Sequence, residues 1–170
     1  MLNFKRLTTT NWLEADETSK LFGRVSPDGT FVAMTGEDWL EFILTPRLAA
    51  IVPSEVHDLF EVARGALAYG YFFYPLYTLA TEQLFRVVDA AVTHKSHQCG
   101  LSRERTFNNR INALVRHGVI PQSDADKWHA IRQLRNRASH STSQSIFTPG
   151  ITMTFLEGIV ADINALFSDP

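Results

Sequence analysis

Cysteine is almost absent. Cys99 stands alone, so no disulfide can form within the chain, and a reducing compartment is the natural setting. Long apolar runs are missing too. The longest uncharged stretch, residues 65–81, is too short to span a bilayer comfortably and carries four tyrosines and Pro75. Two buried helices meeting at Pro75 account for it better. The opening segment, MLNFKRLTTTNWLEADE, has no apolar core of the kind a signal peptide needs. These absences lead to the expectation of a cytosolic (cytoplasmic) protein with no membrane partner. The chain has no glycine-rich loop to cradle a phosphate and no serine or cysteine triad. His94, His97 and Cys99 lie close together, but a zinc site needs about four ligands and no clean second pair follows. Neither a metal nor any other cofactor is expected.

What the chain does have is enough apolar content to fold. Hydrophobic residues make up 45% and charged residues 20% of its 170 residues, which suits one domain with a real core. The net charge of −2 hides an asymmetry. Residues 1–100 hold 8 Lys/Arg against 12 Asp/Glu, residues 101–140 hold 8 against 3, and residues 141–170 hold none against 3. Positive charge is thus gathered in one window, a modest footprint for a phosphate-bearing partner.

Residues 1–53 and 54–170 read differently, as an arm and a bundle of one structural domain. In the first part, short alternating runs flank Ser26, Pro27, Asp28 and Gly29, which predicts a small β-hairpin. A short helix over 37–45 ends before Pro46. In the second part, Ser54 is the expected N-cap of a helix that buries Val56, Leu59, Phe60, Ala63 and Leu67. Pro75 suits the first turn of the next helix, whose stripe is Leu76, Leu79, Ala80, Leu84, Val87, Val88 and Ala91. A third helix covers 106–117 and closes at Gly118, with His117 complementing its dipole. Ser123 is the expected cap of a fourth, and 151–167 forms the last. The aromatic run Tyr69, Tyr71, Phe72, Phe73, Tyr74 and Tyr77 is expected in the core rather than as a base-stacking platform. The fold class expected is mainly all-α, an antiparallel helical bundle with an N-terminal hairpin or arm.

The segment that carries chemistry is IRQLRNRASH, residues 131–140. At about 100° per residue, Ala130, Ile131, Leu134 and Ala138 fall on one side, expected to face the core. Arg132, Arg135, Asn136, Ser139 and His140 fall on the other. Arginine grips phosphate oxygens in a fork and stays charged, asparagine positions through its amide, and histidine moves a proton near neutral pH. RNA brings its own nucleophile, the 2′-OH. A base and a cation for the phosphorane charge suffice, without a metal.

The hexapeptide Arg135-Asn136-Arg137-Ala138-Ser139-His140 resembles the R-x(4–6)-H signature of the HEPN superfamily, in the form with Asn directly after Arg. The order of elements is also similar: a tyrosine-rich helix pair with Pro75, then Glu82 in TEQLFRVVDAA, then FNNRINALVRHGVI, then the signature helix, over residues 54–167. The resemblance implies a bundle of the HEPN type and a metal-independent endoribonuclease, with toxin, defence or stress roles common in the family. It implies homodimers whose signature helices face each other. Carried over, Arg135 and His140 are the catalytic pair and Asn136 the accessory polar residue. Arg132, Arg137 and Ser139 lie outside the signature positions and are assigned as RNA-contacting neighbours. Glu82, an acid in an apolar helix, is expected to orient an arginine of the signature helix.

A local argument also favours a dimer. Arg135 and His140 are five positions apart, so they diverge by about 140°, and a two-fold axis would let both chains furnish one groove. The partners expected are RNA, a second copy and, for a toxin, an antitoxin protein. The alternative is a catalytically inactive HEPN-like module for dimerisation or for binding RNA or a nucleotide, which the near-neutral total charge favours.

Overall fold

A computed structural model describes residues 5–139 and 147–168; of Ala138 and Ser139 it describes only the backbone. The chain is mainly helical with a two-stranded antiparallel hairpin near its N-terminus, as expected. Strands β1 (Gly23–Val25) and β2 (Phe31–Ala33) pair Gly23 with Ala33 and Val25 with Phe31. The turn between them is tied by Asp28, whose carboxylate accepts from the Thr30 amide at 3.0 Å.

Helix α1 (Gly36–Leu44) begins with a reciprocal cap. Thr35 Oγ1 accepts from the Asp38 amide at 3.1 Å and Asp38 Oδ2 from the Thr35 amide at 3.0 Å. This helix buries Trp39 and Ile43, and Trp39 Nε1 donates to the Leu67 carbonyl at 3.0 Å. Asp16 is a second anchor of the arm. It is buried, and its carboxylate accepts from the Tyr74 and Thr18 amides, each at 3.0 Å.

The bundle comprises α2 (Ser54–Gly70), α3 (Leu76–Gln98), α4 (Phe107–Arg116), α5 (Ala125–Ser139) and α6 (Pro149–Phe167). Two expected caps differ. Pro53 occupies the α2 cap position while the Ser54 hydroxyl turns to Glu55 at 3.2 Å. Ser123 lies inside a 3-10 turn, Gln122–Asp124, that leads into α5. Gly118 follows α4 with φ +71°, the left-handed conformation that glycine adopts without penalty. Gly70 serves close approach instead: a Cβ there would stand 2.4 Å from the Tyr77 ring.

Helices α2 and α3 run antiparallel, with Gly70 against Tyr77 and Gln83 reaching the Leu59 carbonyl at 3.3 Å. Helices α3 and α5 also run antiparallel, since Asp89 meets Arg135 while the end of α3 lies by the start of α5. Helices α3 and α6 run parallel within this otherwise antiparallel arrangement. Thr81 contacts Thr152 at 3.4 Å, Phe85 stacks edge-on with Phe155 at 5.8 Å, and Lys95 lies 5.5 Å from the Phe167 ring. The reason is the shortness of α4. Ten residues cover about 15 Å, so the chain is still near the C-terminal end of α3 when α5 begins.

The core joins the five bundle helices through Phe60, Leu67, Tyr77, Leu84, Ile111, Leu114, Trp128, Ile131, Leu156 and Ile163. Among the described residues α6 is the one helix long and apolar enough to cross a membrane. Its Thr152, Leu156, Ile159 and Ile163 stripe is buried in the bundle, as a core helix requires.

Candidate active site

Helix α5 carries one stripe that changes chemistry along its length. Ala125, Trp128 and Ile131 are buried. Continuing at helical spacing, the next positions on that side are Arg132 and Arg135, and both are half-buried. This corrects the expected orientation of the helix. Ala130 is exposed and Leu134 only partly buried, so the core side is centred on Trp128 and Ile131 rather than on the alanines. The large indole sets the direction, because it has the most apolar area to bury. Arg135 therefore leaves the core edge, its stem packed and its head toward water.

The head is held. Arg135 Nη2 lies 3.1 Å from Asp89 Oδ2, with the side chains 38% and 26% exposed, and Arg135 Nη1 donates to Asn136 Oδ1 at 3.3 Å. A pair this exposed adds little to stability, but it fixes the plane of the guanidinium. The carboxylate that does this is Asp89, where Glu82 was expected. Glu82 is half-buried two turns earlier on α3 and makes no hydrogen bond or ion pair among the described residues. The signal was present: Asp89 stands between Val88 and Ala90, as anomalous in an apolar stripe as Glu82, and seven residues on brings it to the same face.

The next turn of α3 continues the polar line. The Thr93 hydroxyl donates to the Asp89 carbonyl at 2.7 Å, and Arg110 Nη1 of α4 donates to Thr93 Oγ1 at 2.9 Å. Asp89 Oδ1 and the Nε atoms of Arg110 and Arg132 are buried without a hydrogen-bond partner among the described residues. Two helices, α4 and α5, thus meet consecutive turns of α3. Arg110 went unremarked in the sequence, where its place on another helix gave no sign of proximity.

Among the other expected site residues, Asn136 is exposed beside Arg135. Arg137 is also exposed, but two positions turn it about 200° from Arg135, so it is not gathered with the group. The side chain of Ser139 and the whole of His140 lie outside the described residues. The aromatic run divides: Tyr74 and Tyr77 are core, Tyr71, Phe72 and Phe73 half-buried, and Tyr69 exposed. No group of three or more metal-ligating side chains is gathered among the described residues. A cleft of about 650 Å³ at the other end of α5 is lined by Lys95, Cys99, His117, Lys127, Trp128 and Asp162 among others; it is remote from the Asp89–Arg135 pair along the helix.

Residues 67–166 match the model of a family described as a domain of unknown function, DUF4145. The chain belongs to the DUF4145 family. No curated protein and no solved structure matches it. The DUF4145 region begins within α2 and ends within α6, so it contains Asp89, Thr93, Arg110, Arg132 and Arg135 and omits the hairpin and α1. The polar convergence belongs to the part of the chain that the family defines.

Proposed function

We propose that the chain is a metal-independent endoribonuclease of the HEPN type that cuts single-stranded or loop RNA in the cytosol. The observation that carries this reading is Arg135: a permanent cation, oriented by Asp89 and still 38% exposed, at the head of an R-x(4)-H motif. In the proposed reaction His140 removes the 2′-OH proton, the 2′ oxygen attacks the adjacent phosphorus, and the bond to the 5′ oxygen breaks. The 5′ oxygen leaves with a proton from an acid, for which the His140 of a second copy is the natural source. Arg135 stabilises the charge that builds on the phosphorane oxygens, and Asn136 positions. The angular divergence of Arg135 and His140 is the reason for two copies around one groove. A toxin or defence role, held in check by an antitoxin protein, would suit such an activity.

The test is cleavage of mixed RNA in excess EDTA by the parent, Arg135→Ala and His140→Ala proteins. Cleavage by the parent, leaving 2′,3′-cyclic phosphate ends, with a loss of roughly 10²–10³-fold in either variant, is expected. Equal cleavage by all three would remove the assignment of these residues. No cleavage by any of them, across several RNAs, would leave the non-catalytic binding module as the function.

A further inference from the structure

We propose that Arg110 of α4 joins Arg132 and Arg135 of α5 in a three-guanidinium site for the RNA phosphate backbone, built around Asp89 and Thr93. It rests on the preceding reading only in taking RNA as the ligand; the anion site itself stands on geometry and charge. Arg135 and Arg110 are tethered to consecutive turns of one face of α3, the first by the Asp89 carboxylate at 3.1 Å and the second by the Thr93 hydroxyl at 2.9 Å. Arg132 lies one turn before Arg135 on the same half-buried stripe.

The charge does not balance. Helix α4 carries no acid, and the only acid on α5 is Asp126, in its first turn at the far end. On α3 the acids are Glu82 and Asp89, and among the described residues only Asp89 is paired. Asp89 is held by Arg135, and among the described residues neither Arg110 nor Arg132 has a carboxylate partner. A hydroxyl accepts a hydrogen bond from Arg110 but cannot neutralise it, and half-buried charge without a counter-ion is costly. Donor capacity is also left over, since the Nε atoms of Arg110 and Arg132 are buried without acceptors among the described residues. A phosphodiester supplies both missing things, a negative charge and several acceptor oxygens matched to guanidinium forks. Arg110 is a binding residue in this arrangement, and its place on α4 gives the site a second wall facing α5.

The experiment measures binding apart from cleavage. A fluorescent single-stranded 2′-O-methyl RNA, which has no free 2′-OH and is not cut, is titrated by anisotropy at several salt concentrations. The proteins are the full-length parent, Arg110→Gln, Arg110→Lys and, as a surface control on the hairpin, Arg24→Gln. Arg110→Gln is expected to weaken binding about tenfold and to lower the salt slope by about one phosphate contact, and Arg24→Gln to leave both unchanged. Arg110→Lys, which keeps the charge and the fold but loses the fork, is expected to retain the slope. Binding and slope equal to the parent in Arg110→Gln, or no binding by the parent, would overturn the proposal. Arg110-dependent binding by a parent that cuts no RNA would keep the anion site and remove the ribonuclease.

Discussion

The two ends of α5 present one stripe in two chemistries. Near its start the stripe is Trp128 and Ile131, sunk in the bundle; one turn later it is Arg132 and Arg135, half out of it. The first end holds the helix still and the second uses that rigidity. A guanidinium on a loop would lose much of its electrostatic value to motion, whereas one on a helix clamped by a buried indole and tethered to Asp89 is already oriented when a ligand arrives. Stability and chemistry should therefore separate along fifteen residues.

The largest expected effect comes from breaking the buried end. Trp128→Ala should cost about 3–5 kcal/mol of folding stability, seen as a large fall in thermal midpoint. At the other end, Arg135→Ala should change stability by about 1 kcal/mol or less while cleavage falls by roughly 10²–10³-fold. Measuring both variants by melting and by cleavage gives the contrast directly. If Arg135→Ala destabilised the fold as much as Trp128→Ala, the arginine would be a structural strut and the division would collapse.

A smaller effect sharpens the comparison within the polar end. Asp89→Asn keeps the shape of the side chain and removes its charge. Arg135 then loses a charge-assisted hydrogen bond, and cleavage should fall about tenfold, equivalent to ~1.5 kcal/mol, with binding of the 2′-O-methyl RNA unchanged or tighter as negative charge leaves the site. Glu82→Gln should do neither. An equal loss of activity in both variants would return the orienting role to Glu82.

That pair of residues shows where reading the sequence stopped. Turns and helix ends were legible where a few neighbouring residues decide them, as with Asp28 in the hairpin turn, Pro75 at the mouth of α3 and Gly118 after α4, whereas the N-caps expected at Ser54 and Ser123 fell elsewhere. Helical spacing also showed that Arg132, Arg135 and Asn136 share a sector. It gave angles relative to one another but not the direction of the core, which the bundle sets through Trp128, so Ala130 was expected inside and is exposed. Which acid meets Arg135 depends on how far α5 slides along α3, a quantity that no local pattern encodes. The parallel course of α3 and α6 was hidden for a related reason, since it follows from how little ground α4 covers before the chain turns.

The smallest expected effect lies on α3, which repeats the contrast: polar at Asp89 and Thr93, aromatic at its first turn. There Tyr77 is buried against Gly70, Trp39 and Tyr74, and burial pushes its hydroxyl well above the ordinary tyrosine range. Burial also raises Tyr74. The folded state disfavours the phenolate, so the stability these groups contribute is fully present below the unfolded tyrosine pKa of about 10 and is lost as pH climbs beyond it. Tyr77→Phe should melt close to the parent at neutral pH and unfold at a higher pH than the parent in an alkaline titration followed by circular dichroism. An unchanged alkaline midpoint would mean that another group drives unfolding there.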